Sequence, residues 1–257
     1  MGTDKTYRLG DIDFIVDIEY GMLRHPTAEH RVISFHNMEA DRDCYFLDFD
    51  KERGIQADGF TKPENLLHTT VPFMVTLDPE ETAKRYSIDV KDLPSRDTEL
   101  RTNPEILQRR KDGKLPIFFI KGYPFYVDLR MNCLRPKDDF STLGIELNRL
   151  PMDDSGTAYL CYYDPKTHSE AIFDEGMTKL PNDKFMIEIP YELILDPYGY
   201  LRDADISFND DWFRNFPVRL EMNARVRPWE KTGLPNIIAE NRKKQESQKQ
   251  KKGRGIR

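Results

Sequence analysis

Phe125-Tyr126-Val127-Asp128-Leu129 and, 111 residues earlier, Phe14-Ile15-Val16-Asp17-Ile18 share one pattern. Phe, Val and Leu or Ile alternate with the intervening residues, and Asp falls at the same place in both. Period-two alternation over five residues marks a half-buried strand. The similarity continues outward in order. Met22-Leu23-Arg24 and Pro26 face Cys133-Leu134-Arg135-Pro136. Tyr45-Phe46-Leu47-Asp48-Phe49-Asp50 faces Tyr159-Leu160-Cys161-Tyr162-Tyr163-Asp164. Phe73-Met74-Val75-Thr76-Leu77 faces Phe185-Met186-Ile187-Glu188-Ile189. The offset drifts only from 111 to 114. Ordered matches at a nearly constant spacing predict a duplicated module with strands at each matched piece. The period is too long, and the copies too few, for a solenoid.

Local signals fill the space between. Lys114–Ile120 and the strand at Phe125 flank Lys121-Gly122-Tyr123-Pro124, a hairpin signal. Asp78, followed by Pro79 and Glu81, caps a helix running to about Tyr86. Asn103 precedes Pro104–Lys111, with bases in the last turn and Gly113 beyond, which predicts a second helix. Ser87–Thr102 has little pattern. Pro217–Val226 alternates strictly and predicts one long strand with a wet face. Pro235–Asn241 predicts a short helix.

The chain has 257 residues, 39 Lys+Arg against 45 Asp+Glu, and a formal net charge of −6. That figure averages two unlike parts. Arg242, Lys243, Lys244, Lys249, Lys251, Lys252, Arg254 and Arg257 give the last sixteen residues a charge of +7, with Glu246 the sole acid; the rest carries −13. The tail has almost no apolar surface to offset the entropy of ordering, so it is expected to be disordered or only loosely helical. A cationic arm of this kind suits phosphate contacts through counterion release. The body holds 15 Phe, 12 Tyr and 2 Trp, enough for a substantial core. No stretch reaches the roughly 18 apolar residues of a membrane span. The N-terminus lacks a signal-like apolar region. Three cysteines without a Cys-x-x-Cys pair predict neither a disulfide framework nor a thiolate zinc site, and a cytoplasmic setting is expected.

Gly113-Lys114-Leu115-Pro116, Phe125–Arg130, Leu134-Arg135-Pro136-Lys137-Asp138-Asp139-Phe140, Tyr163-Asp164-Pro165-Lys166-Thr167-His168, Leu195-Asp196-Pro197 and Pro228-Trp229 form a set. Over residues 113–240 the chain resembles an uncharacterised family of bacterial proteins, some of them near mobile genetic elements. The resemblance implies no particular reaction, cofactor or catalytic residue. Its genomic context favours a nucleic-acid role for the tail.

Candidate chemistry is sparse. Asp48 and Asp50 form an Asp-x-Asp that suits a divalent cation, although the duplicate carries Tyr162 and Asp164 there, and turn-closing aspartates explain both ends. Asp17 and Asp128 occupy matching places on strand faces. Brought together they would form an acid–base dyad; on solvated faces they would pair with Arg24 or Arg135. His25, His30 and His36, with Cys44 nearby, are candidate metal ligands or a Cys-His pair. Surface or half-buried histidines and a small apolar cysteine account for them better. There is no Walker loop, Gly-x-Gly-x-x-Gly or Gly-x-Ser-x-Gly motif.

The sequence thus predicts an α+β protein of two related antiparallel β-rich units with few short helices. The first unit spans 1–90, a helical linker 91–114, the second unit 115–241 with its C-terminal strand and short helix, and a disordered basic tail 242–257. The expected role is a non-enzymatic interaction module without cofactor or membrane attachment. Its acidic body binds a protein partner and its tail touches nucleic acid or an acidic surface. The competing expectation is an enzyme, hydrolase-like, with a site between the units.

Overall fold

The computed structural model describes residues 5–139 and 141–254, the side chains of 210 and 248–254 excepted. It is a mixed α+β fold of small, largely antiparallel sheets and mostly short helices. In the first half, β1 (Thr6–Leu9), β2 (Ile12–Asp17), β3 (Met22–Arg24) and β4 (Val32–Ser34) form one antiparallel meander. A second sheet follows, with β5 (Glu39–Ala40), β6 (Cys44–Asp50), β7 (Ile55–Gln56) and β8 (Leu66–Pro72) built around β6. Tyr45, Leu47 and Phe49 of β6 point inward and Phe46 and Asp48 outward. They pack with Phe14, Leu23, Phe35 and Phe73 into the core of this half. Two helices close it: α1 (Met74–Leu77) and α2 (Pro79–Tyr86).

Between the halves runs α3 (Pro104–Lys111). In the second half, β9 (Ile117–Ile120), β10 (Tyr123–Asp128), β11 (Cys133–Pro136) and β12 (Ile145–Glu146) form an antiparallel meander. The turn from β9 to β10 has Lys121 and Gly122 both at positive φ (54° and 83°), as a two-residue hairpin loop requires. Next come β13 (Ala158–Asp164), β14 (Ser169–Glu170) and β15 (Phe185–Pro190), a second sheet around β13, then α4 (Glu192–Leu195) and α5 (Pro197–Asp203). Phe118, Phe125, Leu134, Cys161 and Ile187 make the core here. After α6 (Asp210–Asn215), two short strands follow: β16 (Glu221–Asn223) and β17 (Arg225–Arg227). The last element is α7 (Leu234–Arg254).

The helix starts follow the caps in the sequence. Asp78 accepts from the Glu81 amide, Asn103 from those of Glu105 and Ile106, and Asp196 from that of Gly199. Each satisfies an amide that the first helical turn leaves without a partner.

Three expectations are corrected. Met74–Leu77 is helical, and the strand before it is β8, so the third matched pair of sequence stretches is out of register. The stretch 217–226 is two strands, not one. β16 runs parallel to β9 at the edge of one sheet, whereas β17 pairs antiparallel with β15 at the edge of another. The break falls at Ala224, whose amide donates to Phe119 O. Past it the alternation shifts by one, leaving Val226 exposed and Arg227 buried; a one-residue slip exchanges the two faces. The chain from 242 to 254 is helix rather than coil. Its Lys, Arg, Gln and Glu are good helix formers, and the helix starts on a packed turn in which Leu234 and Ile238 are buried. Arg257 lies outside the described residues.

The halves are joined by more than α3. Tyr20 and Met22 of the first share a buried cluster with Ala158, Leu193, Ile194 and Phe216. Arg85 donates to Asn215 O (2.6 Å), Thr102 Oγ1 to Phe213 O (2.9 Å), and the Tyr86 hydroxyl bonds Arg214 O. Among the described residues, no helix is long and apolar enough to cross a membrane.

Candidate functional site

A hollow of about 760 Å³ opens between the halves and is lined by β2, the β3 end and β17. Its floor is a network of charge. Asp17 is buried at the end of β2. It accepts from Arg24 Nε (2.5 Å) on the neighbouring strand and from both terminal nitrogens of Arg225 (2.6 and 2.7 Å) on β17. Glu19 takes Arg225 (2.8 Å) and Arg219 (3.5 Å). Arg227 reaches Glu188 (3.2 Å) and also bonds Glu29. Arg24 and Arg225 lie over the Tyr20 ring, each guanidinium carbon 4.5 Å from the centroid. This stacking uses the flat, weakly hydrated face of the guanidinium.

The electrostatics follow from this packing. Burial pushes the Asp17 carboxyl up, but Arg225 and Arg24 outweigh it and hold it down at about 2. Burial likewise opposes the charge of Arg225, and Asp17 and Glu19 overcome it. The Tyr20 hydroxyl, buried and without a partner among the described residues, is pushed far up by desolvation. A carboxylate so far below neutral pH is a poor proton acceptor, because a general base works best near the operating pH. The floor of the cleft is therefore built as an ionic lock between halves. Asp17 is the correction here: it is buried, not on a solvated strand face, because β17 covers it.

The other sequence candidates do not join it. Asp128 pairs with Arg135 (3.4 Å), as Asp17 does with Arg24, and lines a separate hollow beside Arg110 and Tyr198. Asp17 and Asp128 thus make no dyad. Asp50 accepts from the Glu52 and Arg53 amides, closing a turn; Asp48 pairs with His68 on the exposed surface (2.7 Å). His25 accepts the Thr27 and Ala28 amides through Nδ1. His36 lies against Ser34 Oγ (2.5 Å). Burial, Asp43 and Asp41 push the Cys44 thiol up, the reverse of an activated nucleophile. Among the described residues, no group of three or more His, Cys, Asp or Glu is arranged to hold a metal, and His30 joins none. Arg219, Arg225 and Arg227, absent from the sequence candidates, are the groups that organise the cleft. For Arg219 and Arg225 the only signal was polar placement in an alternating stretch, which a wet strand face explains as well; Arg227 falls just past that stretch.

On α7, Arg242 donates to Thr178 O (2.6 Å), and Asn241 donates to Glu175 O and Met177 O (2.8 and 3.0 Å). These bonds seat the helix base on the 174–178 loop. Lys243 and Lys244 beyond them are exposed. The side chains of Lys249, Lys251, Lys252 and Arg254 lie outside the described residues.

Comparison with protein-family models, with curated proteins and with solved structures found no match.

Proposed function

We propose that the protein is an interaction module: an acidic body that engages a protein partner and a basic helix that contacts nucleic acid. The observation that carries this reading is the seating of α7. Its first turns are packed, with Leu234 and Ile238 buried and Asn241 and Arg242 bonded to the 174–178 loop. Arg242 belongs to that seat, and Lys243, Lys244, Lys249, Lys251, Lys252 and Arg254 follow it along the same helix, in series on a fixed base. Such an array favours a polyanion through counterion release, with no need for base-specific contacts. The resemblance over residues 113–240, with its mobile-element context, favours the same reading. An enzyme acting through Asp17 and Asp128 gains no support from the geometry, since each carboxylate is held by its own arginine.

Binding of labelled duplex and single-stranded oligonucleotides tests this, with the full chain compared against one ending at Asn241. The full chain is expected to bind at low salt, with affinity falling steeply as salt rises. The truncated chain is expected to lose most of that binding. Equal binding by the two chains at low and moderate salt refutes the role of the helix.

We also infer that the two halves repeat one module. Several features support this beyond the sequence matches. Each half runs meander, 3-10 turn, second sheet, one-turn helix, Asp-Pro cap and short helix in the same order. Asp17–Arg24 and Asp128–Arg135 are bridged across equivalent hairpins. Asp50 and Asp164 both close the turn after the long strand.

A further inference from the structure

A second cavity, about 80 Å³, is walled mainly by the first half, with Arg214 and Asn215 contributed by the second. A single buried water needs only about 10–15 Å³ on this measure, so the space admits a small molecule. Buried Phe35, Tyr45, Arg85 and Asp97 wall it, while exposed His36 and Ala40 stand among its lining residues.

Its polar groups are firmly placed. Asp97, buried in the stretch that the sequence left without pattern, accepts from Tyr45 Oη (2.7 Å) and from the Met74 and Val75 amides (2.6 and 3.1 Å). Arg85, on the last turn of α2, is 5% exposed. Its terminal nitrogens donate to Ile18 O (2.8 Å), Asn215 O (2.6 Å) and the Met74 sulfur (3.6 Å). Its Nε–H has no partner, and none of the ion pairs among the described residues includes it. Arg85 is thus a buried cation whose hydrogen bonds all go to neutral acceptors. An unpaired buried charge is costly, and an anion alongside removes that cost. The fold also makes room for this cation. Gly21 has φ +71°, and a Cβ there would lie 2.4 Å from an Arg85 terminal nitrogen.

We propose that this cavity binds a small carboxylate, a monoanion of a few carbon atoms, with Arg85 as its charge partner. Arg214, whose charge is shared with exposed Asp211 (3.0 Å), also stands on the wall, with Thr98 and Asn215 as polar neighbours. Asp97 sets the charge limit: a dianion such as phosphate meets its repulsion, whereas a monoanion leaves the cluster near neutral. Burial pushes the Asp97 carboxyl up, which further eases a second carboxylate nearby. The second half repeats no such cation at the matching place. Counted from the helix-capping aspartate, the place of Arg85 is taken in the second half by Asp203.

The test is thermal unfolding and calorimetric titration of the full chain with sodium acetate and sodium formate. Sodium chloride and sodium phosphate at equal ionic strength are the comparisons. Two variants accompany it. Arg85→Gln removes the cation. Ala40→Leu narrows the cavity from an exposed edge-strand position opposite Tyr45 and removes no polar group, so it should fold even where Arg85→Gln does not. Acetate is expected to stabilise the native chain saturably, and Ala40→Leu is expected to weaken that response at least tenfold while unfolding normally in chloride. An acetate effect no greater than that of chloride, or one that Ala40→Leu retains, overturns the site. Tighter binding of phosphate than of acetate overturns the carboxylate assignment.

Discussion

Asp17 shows how a single residue changes meaning once its neighbours are known. In the sequence it is the polar member of an alternating strand. In the fold it is buried between Arg24 and Arg225. Asp17→Asn keeps the shape and removes the charge, leaving two cations facing each other. Breaking one side of a buried pair costs about 3–5 kcal/mol, and the urea midpoint of this variant should fall accordingly. The pH dependence has a definite sign. Asp17 sits at about 2 in the native state against an ordinary 3.8. Its stabilisation is therefore present above about pH 4 and is lost as the pH falls through 2; a shift of this size is worth about 2 kcal/mol. Acid titration followed by circular dichroism should show native protein losing stability across that window and Asp17→Asn losing less. Gly21 makes the second case at this scale. Its left-handed conformation alone costs an L-residue about 1–2 kcal/mol, and a Cβ would strike Arg85. Gly21→Ala should lower the denaturant midpoint by more than the backbone term accounts for.

Elements divide into those that carry their own instructions and those that do not. The helices at 79–86 and 104–111 were legible to the residue, because Asp78-Pro79 and Asn103-Pro104 specify a start by local hydrogen bonding. The β9–β10 hairpin was legible for the same reason. The stretch 217–226 was not. Its alternation was real, but the sheet that each piece joins depends on β9 and β15, about 100 and 40 residues away in sequence. Nor was Asp97, whose partners Tyr45 and Met74 come from other elements. The α7 extension is a milder miss: favourable residues continue a helix that packing has started, which lowers the cost of nucleation. A chain ending at Asn241 should lose ellipticity at 222 nm in proportion to residues 242–254. Its melting temperature should shift by under about 2 °C, since among the described hydrogen bonds to the body only that of Arg242 is lost. A larger fall would mean that the basic segment stabilises the body.

At the scale of the whole molecule, the halves are interdependent. Tyr20 and Met22 pack against the second half, and Asp17 and Glu19 draw three of their arginine contacts from it. Residues 1–100 expressed alone would expose that apolar surface and strip Asp17 and Glu19 of Arg219 and Arg225. They should give a poorly dispersed proton–nitrogen spectrum, and a well-dispersed sheet spectrum would contradict the interdependence. The charge division between body and tail, the alternation of the first strands and the capped helices were determined by sequence alone, because each is a property of neighbouring residues. The burial of Asp17, the break at Ala224 and the meeting of Arg85 and Asp97 on the wall of one cavity were decided only by tertiary structure. Their partners lie far along the chain, Arg225 being 208 residues from Asp17, and no local periodicity records which distant side chain will close over a strand.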